Sequence, residues 1–114
     1  MHELSLCQGL VRQLEQLAAD YPGKTIVRVE LTIGPLAGIE PALLKHAFPI
    51  AAAASAAAEA ELVITPSPIT LYCEPCGLEV TARANRLICP HCGHWQTRLL
   101  SGDEMILQRI ELED

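Results

Sequence analysis

Two pairs of cysteines carry the clearest chemistry in this sequence. Cys73-Glu74-Pro75-Cys76-Gly77 and Cys89-Pro90-His91-Cys92-Gly93 repeat one pattern, separated by residues 77–88. Each pair can grip one metal ion from a tight turn. The glycine after its second cysteine supplies the positive φ that turns backbone amides toward sulfur. Four thiolates complete a closed tetrahedral site of the structural Zn²⁺ type and leave no position for a substrate water, so catalytic zinc is not expected. An iron–sulfur cluster is the alternative, distinguished by its visible absorption. So short a module has little core, and metal binding must contribute most of its folding free energy.

The chain also begins suggestively. Met1-His2-Glu3 sets an imidazole one residue from the free amine. A residue as large as His2 usually protects the initiator methionine, so Met1 is expected to stay. The amine, deprotonated backbone amides and the His2 imidazole can form adjacent chelate rings, and four nitrogens in a plane suit Ni(II) or Cu(II). A histidine in second place is common, however, and alone proves little. Cys7 falls on an apolar helix face and reads as a buried thiol. His46 reads as a surface or boundary residue of the second helix. His91 and His94 flank the last cysteine, either as exposed knuckle residues or as auxiliary, pH-sensitive ligands. Nothing pairs Cys7 with a base at an identifiable spacing, so the chain is not expected to be an enzyme.

The charge distribution narrows the partners. The 114 residues carry a net charge of −6. Residues 1–69 hold four Lys/Arg against seven Asp/Glu, a net of −3. Residues 70–102 hold Arg83, Arg86 and Arg98 against Glu74 and Glu79, a net of +1. Residues 103–114 hold one arginine against five acids, a net of −4. No basic stripe is present, which argues against nucleic acid or anionic membrane as the main partner. No apolar run reaches the roughly 18 residues of a spanning helix. The N-terminus lacks the basic start of an export signal, so a cytoplasmic location is expected. There, an odd set of five cysteines points to metal before disulfides.

These residues need elements to position them. Leu4, Cys7, Leu10, Val11, Leu14, Leu17 and Ala18 recur at steps of three and four, which predicts an amphipathic helix ended by Pro22-Gly23. Val27, Val29, Leu31 and Ile33 alternate with polar residues, the period of a half-buried strand. Gly34 to Gly38 reads as a turn, and Glu40-Pro41 opens a second helix with a stripe of Leu43, Leu44, Ala47, Phe48 and Ala51. Pro49 should kink or interrupt that helix, and the alanine-rich residues 51–60 are read as its continuation. Glu61–Thr65 and Glu104–Leu112 read as strands, the latter with Ile106, Ile110 and Leu112 on one face. The last strand is too short to fold alone and is expected to pair back into the first sheet. The expectation is an α+β fold: two helices packed on a small, about three-stranded sheet, with an inserted zinc-ribbon-like domain. The domains are expected at 1–69 plus 102–114 and at 70–101.

Taken together, the sequence resembles the HypA/HybF family of hydrogenase maturation nickel metallochaperones. The resemblance runs over essentially the whole chain. It rests on Met1-His2-Glu3-Leu4-Ser5, Val29-Glu30-Leu31-Thr32-Ile33-Gly34, Glu40-Pro41, Ala47-Phe48, the cysteine pairs and Gly102-Asp103-Glu104-Met105. It implies transported Ni²⁺ held at Met1, His2 and Glu3 through the amine or backbone amides and the His2 imidazole, beside structural Zn²⁺ on Cys73, Cys76, Cys89 and Cys92. It also implies that Glu40, where some members carry aspartate, belongs near the nickel site, and that His94 is the nearest candidate for an auxiliary ligand. The partners implied are a hydrogenase maturation GTPase and the large-subunit precursor of [NiFe] hydrogenase, with urease maturation proteins as another route for the same nickel. The competing reading is a zinc-ribbon module for protein or nucleic-acid interaction without nickel delivery.

Overall fold

Aliphatic side chains at helical spacing close the first core. In the computed structural model, which describes residues 2–114, helix α1 (His2–Ala19) buries Cys7, Leu10, Val11 and Leu14. Helix α2 (Pro41–Ala52) buries Leu44, Ala47, Phe48 and Ala52 and packs against α1. Strands β1 (Thr25–Ile33) and β2 (Glu61–Pro66) add Ile26, Val29, Leu31 and Leu62. After β3 (Ile69–Cys73), β4 (Leu78–Ala82) and β5 (Thr97–Ser101), the chain returns as β6 (Met105–Glu113). The strand orders are β2-β1-β6 and β4-β3-β5. The last strand does pair back beside β1, which makes the cysteine segment an insertion, with a second three-stranded sheet of its own.

The structure divides into two compact units. One holds residues up to Leu31, Ile39–Ile64 and Leu107–Asp114; the other holds Thr32–Gly38 and Thr65–Ile106.

Four local expectations need correction. The alanine run does not continue α2, which stops at Ala52. Pro49 has already removed one amide from the helical ladder. Past it, Ser55 Oγ donates to the Ala52 carbonyl at 2.6 Å and accepts from the Ala57 amide at 3.0 Å. The Glu15 carboxylate takes the Ala56 amide at 2.6 Å, and Ala54 sits at φ +63°. These bonds satisfy the backbone more specifically than alanine propensity can. Leu43, placed on the apolar stripe, is 55% exposed, because the buried positions follow Leu44 rather than its neighbour. Likewise Ile26 rather than Val27 is the buried residue at the start of β1, and Ile106 is exposed.

In the second unit a close approach of backbones sets the frame. A Cβ at Gly34 would overlap the Gly102 carbonyl and lie 2.8 Å from the Asp103 nitrogen, so only glycine fits. The Gly34 amide donates to the Glu104 carbonyl at 2.8 Å and the Leu36 amide to the Gly102 carbonyl at 2.7 Å. The Glu104 side chain accepts from the Ser67 hydroxyl and from the Gly102 amide. Those donors, the Ser67 hydroxyl first, hold its carboxyl below the ordinary glutamate range.

Two outcomes follow. Gly34→Ala should lower stability by about 1–3 kcal/mol, read as a lower urea midpoint, because rigid backbone rather than a flexible side chain must yield. Glu104 should titrate below the ordinary glutamate value by carboxyl NMR. Its stabilising contribution is present above the unfolded value and lost as pH falls through the folded one, so Glu104→Gln should flatten that part of the acid profile.

Candidate metal centres

The β3–β4–β5 sheet exists to present sulfur. β3 buries alternate residues Ile69, Leu71 and Cys73. β3 pairs antiparallel with β4 (Leu71 opposite Val80, Cys73 opposite Leu78) and with β5 (Leu71 opposite Leu99, Cys73 opposite Thr97). The buried core here is only Ile69, Leu71, Cys73, Val80 and Cys89, so two of its five members are prospective ligands. Each knuckle closes with the same bond: the Gly77 amide to the Cys73 carbonyl and the Gly93 amide to the Cys89 carbonyl, both 2.8 Å. Both glycines have positive φ, +67° and +73°, as the turn requires.

The four sulfurs converge. All lie within 4.8 Å of one another, with Cys73–Cys92 at 3.6 Å and Cys76–Cys89 at 3.9 Å. Zn–S bonds of about 2.3 Å in a tetrahedron put sulfurs about 3.8 Å apart, so the spacing fits structural zinc. Backbone amides of Cys92 and His91 draw the Cys89 thiol down to about 6. Cys76 is pushed up to about 12 by the Cys92 and Cys73 sulfurs, and burial pushes Cys73 up. One thiolate forms readily; the full set needs a cation among them.

The N-terminal candidates sit in the other unit. Met1 lies outside the described residues. His2 opens α1 with its side chain 60% exposed, its Nδ1 3.6 Å from the Glu3 carboxylate. Glu3 is held below the usual carboxylate range by its own backbone amide first and then by the Glu40 amide, which donates to Glu3 Oε2 at 3.4 Å. Glu40 is the N-cap of α2, its carboxylate accepting from the Ala42 amide at 3.5 Å. The structure therefore brings Glu40 to Glu3. The two starting turns are further tied where Cys7 Sγ donates to the Leu44 carbonyl at 3.5 Å, and burial raises that thiol. His46 lines a small cavity with Glu3, Leu4 and Ile50, a neighbourhood that spacing alone did not reveal.

In the zinc-ribbon-like unit, His94 stacks on Trp95 and accepts the Gln96 amide on Nδ1 at 3.0 Å, which leaves Nε2 uncommitted. Among the described residues, the four cysteines are the only group of three or more His, Cys, Asp or Glu side chains whose ligand atoms converge.

Two helices, two small three-stranded sheets and a convergent four-cysteine cluster define a metal-binding α+β protein, and comparison with known proteins specifies it. Residues 1–112 match the sequence profile of the HypA family, described as "Hydrogenase/urease nickel incorporation, metallochaperone, hypA". The chain belongs to this family. It is 42% identical over 112 residues to "Hydrogenase maturation factor HypA" of Nitrosospira multiformis, covering 98% of this chain and 97% of that one. The protein of the same name from Aquifex aeolicus is 35% identical over 113 residues, covering 99% and 98%. Among solved structures, "Solution structure of the Ni metallochaperone HypA from Helicobacter pylori" superposes with a TM-score of 0.70 at 25% identity, over 96% of each chain. "Solution structure of HypA protein" reaches 0.76 at 26% identity, over 99% and 97%.

Cys73→Ser should remove zinc and with it the amide protection of β3, since the site supplies both a core residue and a ligand. Cys7→Ala should leave zinc bound. Metal analysis and hydrogen exchange of the two variants check both outcomes.

Proposed function

We propose that this chain carries Ni(II) at its N-terminus and hands it to a hydrogenase precursor, while zinc on Cys73, Cys76, Cys89 and Cys92 only maintains the second unit. The observation that carries this reading is the start of α1 at His2. The first amides of a helix have no intrahelical acceptor, so the amides of His2 and Glu3 lose no ladder bond when they deprotonate to bind a metal. A helical ψ also holds successive backbone nitrogens on the same side, as a chelate ring needs. Side chains cannot replace them, because no cluster of His, Cys, Asp or Glu beyond the four cysteines converges among the described residues.

The roles follow from position. The Met1 amine and the His2 imidazole complete the nitrogen set. The Glu3 carboxylate stays beside the site, steadied by the Glu40 amide, and tunes its charge. Glu40 acts from the start of α2. Zinc, when bound, supplies no reaction; it neutralises four thiolates. The partners proposed are a maturation GTPase and the large-subunit precursor of [NiFe] hydrogenase, with urease maturation proteins drawing on the same nickel, all in the cytoplasm.

Amine, amide and imidazole nitrogens must lose protons to bind, so nickel affinity falls as pH drops. In untagged protein, His2→Ala should abolish stoichiometric nickel binding and leave zinc content unchanged. One extra residue before Met1 should do the same. Isothermal titration together with metal analysis measures both; unchanged nickel affinity in His2→Ala would falsify the reading.

A further inference from the structure

Between the two cysteine pairs the chain reverses at Arg83-Ala84-Asn85-Arg86, where the Arg86 amide donates to the Arg83 carbonyl at 3.0 Å. Arg83 and Arg86 are antiparallel bridge partners. Residues paired in this way put their side chains on one face with Cβ atoms about 5 Å apart, and like charges there destabilise the hairpin. The chain has 14 Asp and Glu to offer as neutralising partners. Among the described residues, neither arginine makes an ion pair with any of them. Arg98 of the same unit shows the ordinary solution, lying over the Tyr72 ring and 3.6 Å from the Glu74 carboxylate. Side by side, exposed and without a counter-charge, Arg83 and Arg86 are a local conflict of the kind that functional sites retain. Both line a cavity of about 440 Å³ together with Thr81, Ile88, Pro90 and Gly93, so the turn faces the second cysteine knuckle across a cleft.

We propose that this cleft docks an acidic segment of a partner protein, with a carboxylate between Arg83 and Arg86 and an apolar neighbour against Ile88 and Pro90. A guanidinium takes a carboxylate as a fork of two N–H donors, and two on one face offer two forks to the same acidic side chain. The surroundings of the pair select the occupant. A phosphate backbone needs a row of cations, and Arg98, the third arginine of residues 70–102, is already engaged. The chain as a whole, at a net charge of −6, repels a long polyanion. Ile88 and Pro90 make part of the wall apolar, which suits a side chain better than a hydrated phosphate. Leu87 and Trp95, on the same stretch of chain, are 40% and 73% exposed, and tryptophan and arginine are the residues that most often anchor protein interfaces.

The proposal is independent of nickel. Its probe is a fluorescein-labelled peptide of alternating Glu and Leu, titrated with the zinc-loaded full chain and followed by anisotropy. Binding should saturate and weaken with salt, and a peptide with Gln for every Glu should bind about tenfold more weakly or worse. Arg83→Gln and Arg86→Gln should each weaken the Glu peptide about fivefold to tenfold. Arg98→Gln, which removes the same charge from the same unit, should leave it unchanged. Without peptide, R83Q and R86Q should unfold at a urea midpoint no lower than wild type, because each relieves a like-charge pair. Competition with inorganic phosphate and with single-stranded DNA identifies the anion. A Glu peptide that stays unbound to millimolar concentration overturns the proposal, and so does wild-type binding by R83Q and R86Q. It also fails if Arg98→Gln weakens binding as much, or if phosphate or DNA displaces the probe at lower concentration than the unlabelled peptide. Zinc loss from R83Q or R86Q would overturn it too, by assigning the pair to the cysteines.

Discussion

Four sulfurs held within 4.8 Å of one another cannot all be ionised without a cation, and much of the second unit hangs on that constraint. Its buried core is five residues, two of them cysteines of the site. Hydrophobic burial on that scale does not support an independent unit, and such small modules usually draw their stability from metal. The strand pattern makes sense only in this light. β3 places Cys73 at the end of an inward-facing row, the amides of Cys76, His91 and Cys92 point at the sulfurs, and the two knuckle glycines close the turns. The amides that lower Cys89 provide the first thiolate, and the cation must do the rest.

The first unit meets a different demand. A chain terminus usually frays, and the carrier site proposed at the N-terminus would need to be both fixed and open. Here α1 is helical from His2 onward and anchored within three turns by Cys7 and Leu10 in the core. Glu3 reaches to the Glu40 amide and fastens the start of one helix to the start of the next. The His2 side chain stays in solvent. Fixation comes from carbon and carboxylate, and openness is left to nitrogen.

Much of this was legible in the residues themselves. Helical and period-two patterns located both helices and β1, β-prone apolar runs located β2 and β6, and the paired cysteines located the ribbon, because these signals come from burial and covalent spacing. The alanine-rich stretch departs from its helix propensity for a physical reason: propensity speaks for residues 51–60, but Ser55 and the distant Glu15 offer the backbone better partners. The Gly34–Gly102 approach and the meeting of Glu40 with Glu3 were invisible as contacts, since each joins residues far apart in the chain. β5 carried no clear alternation, as Leu99 and Leu100 are both exposed, and only its pairing to β3 defines it.

The central claim is a division of labour between two metals, sulfur holding zinc and nitrogen holding nickel. X-ray absorption at both metal edges of untagged protein, loaded with zinc and then nickel, tests it most directly. The account predicts zinc surrounded by four sulfurs at about 2.3 Å and nickel in a planar set of nitrogen and oxygen neighbours without sulfur. Sulfur in the nickel shell, or nitrogen replacing sulfur around zinc, would contradict it.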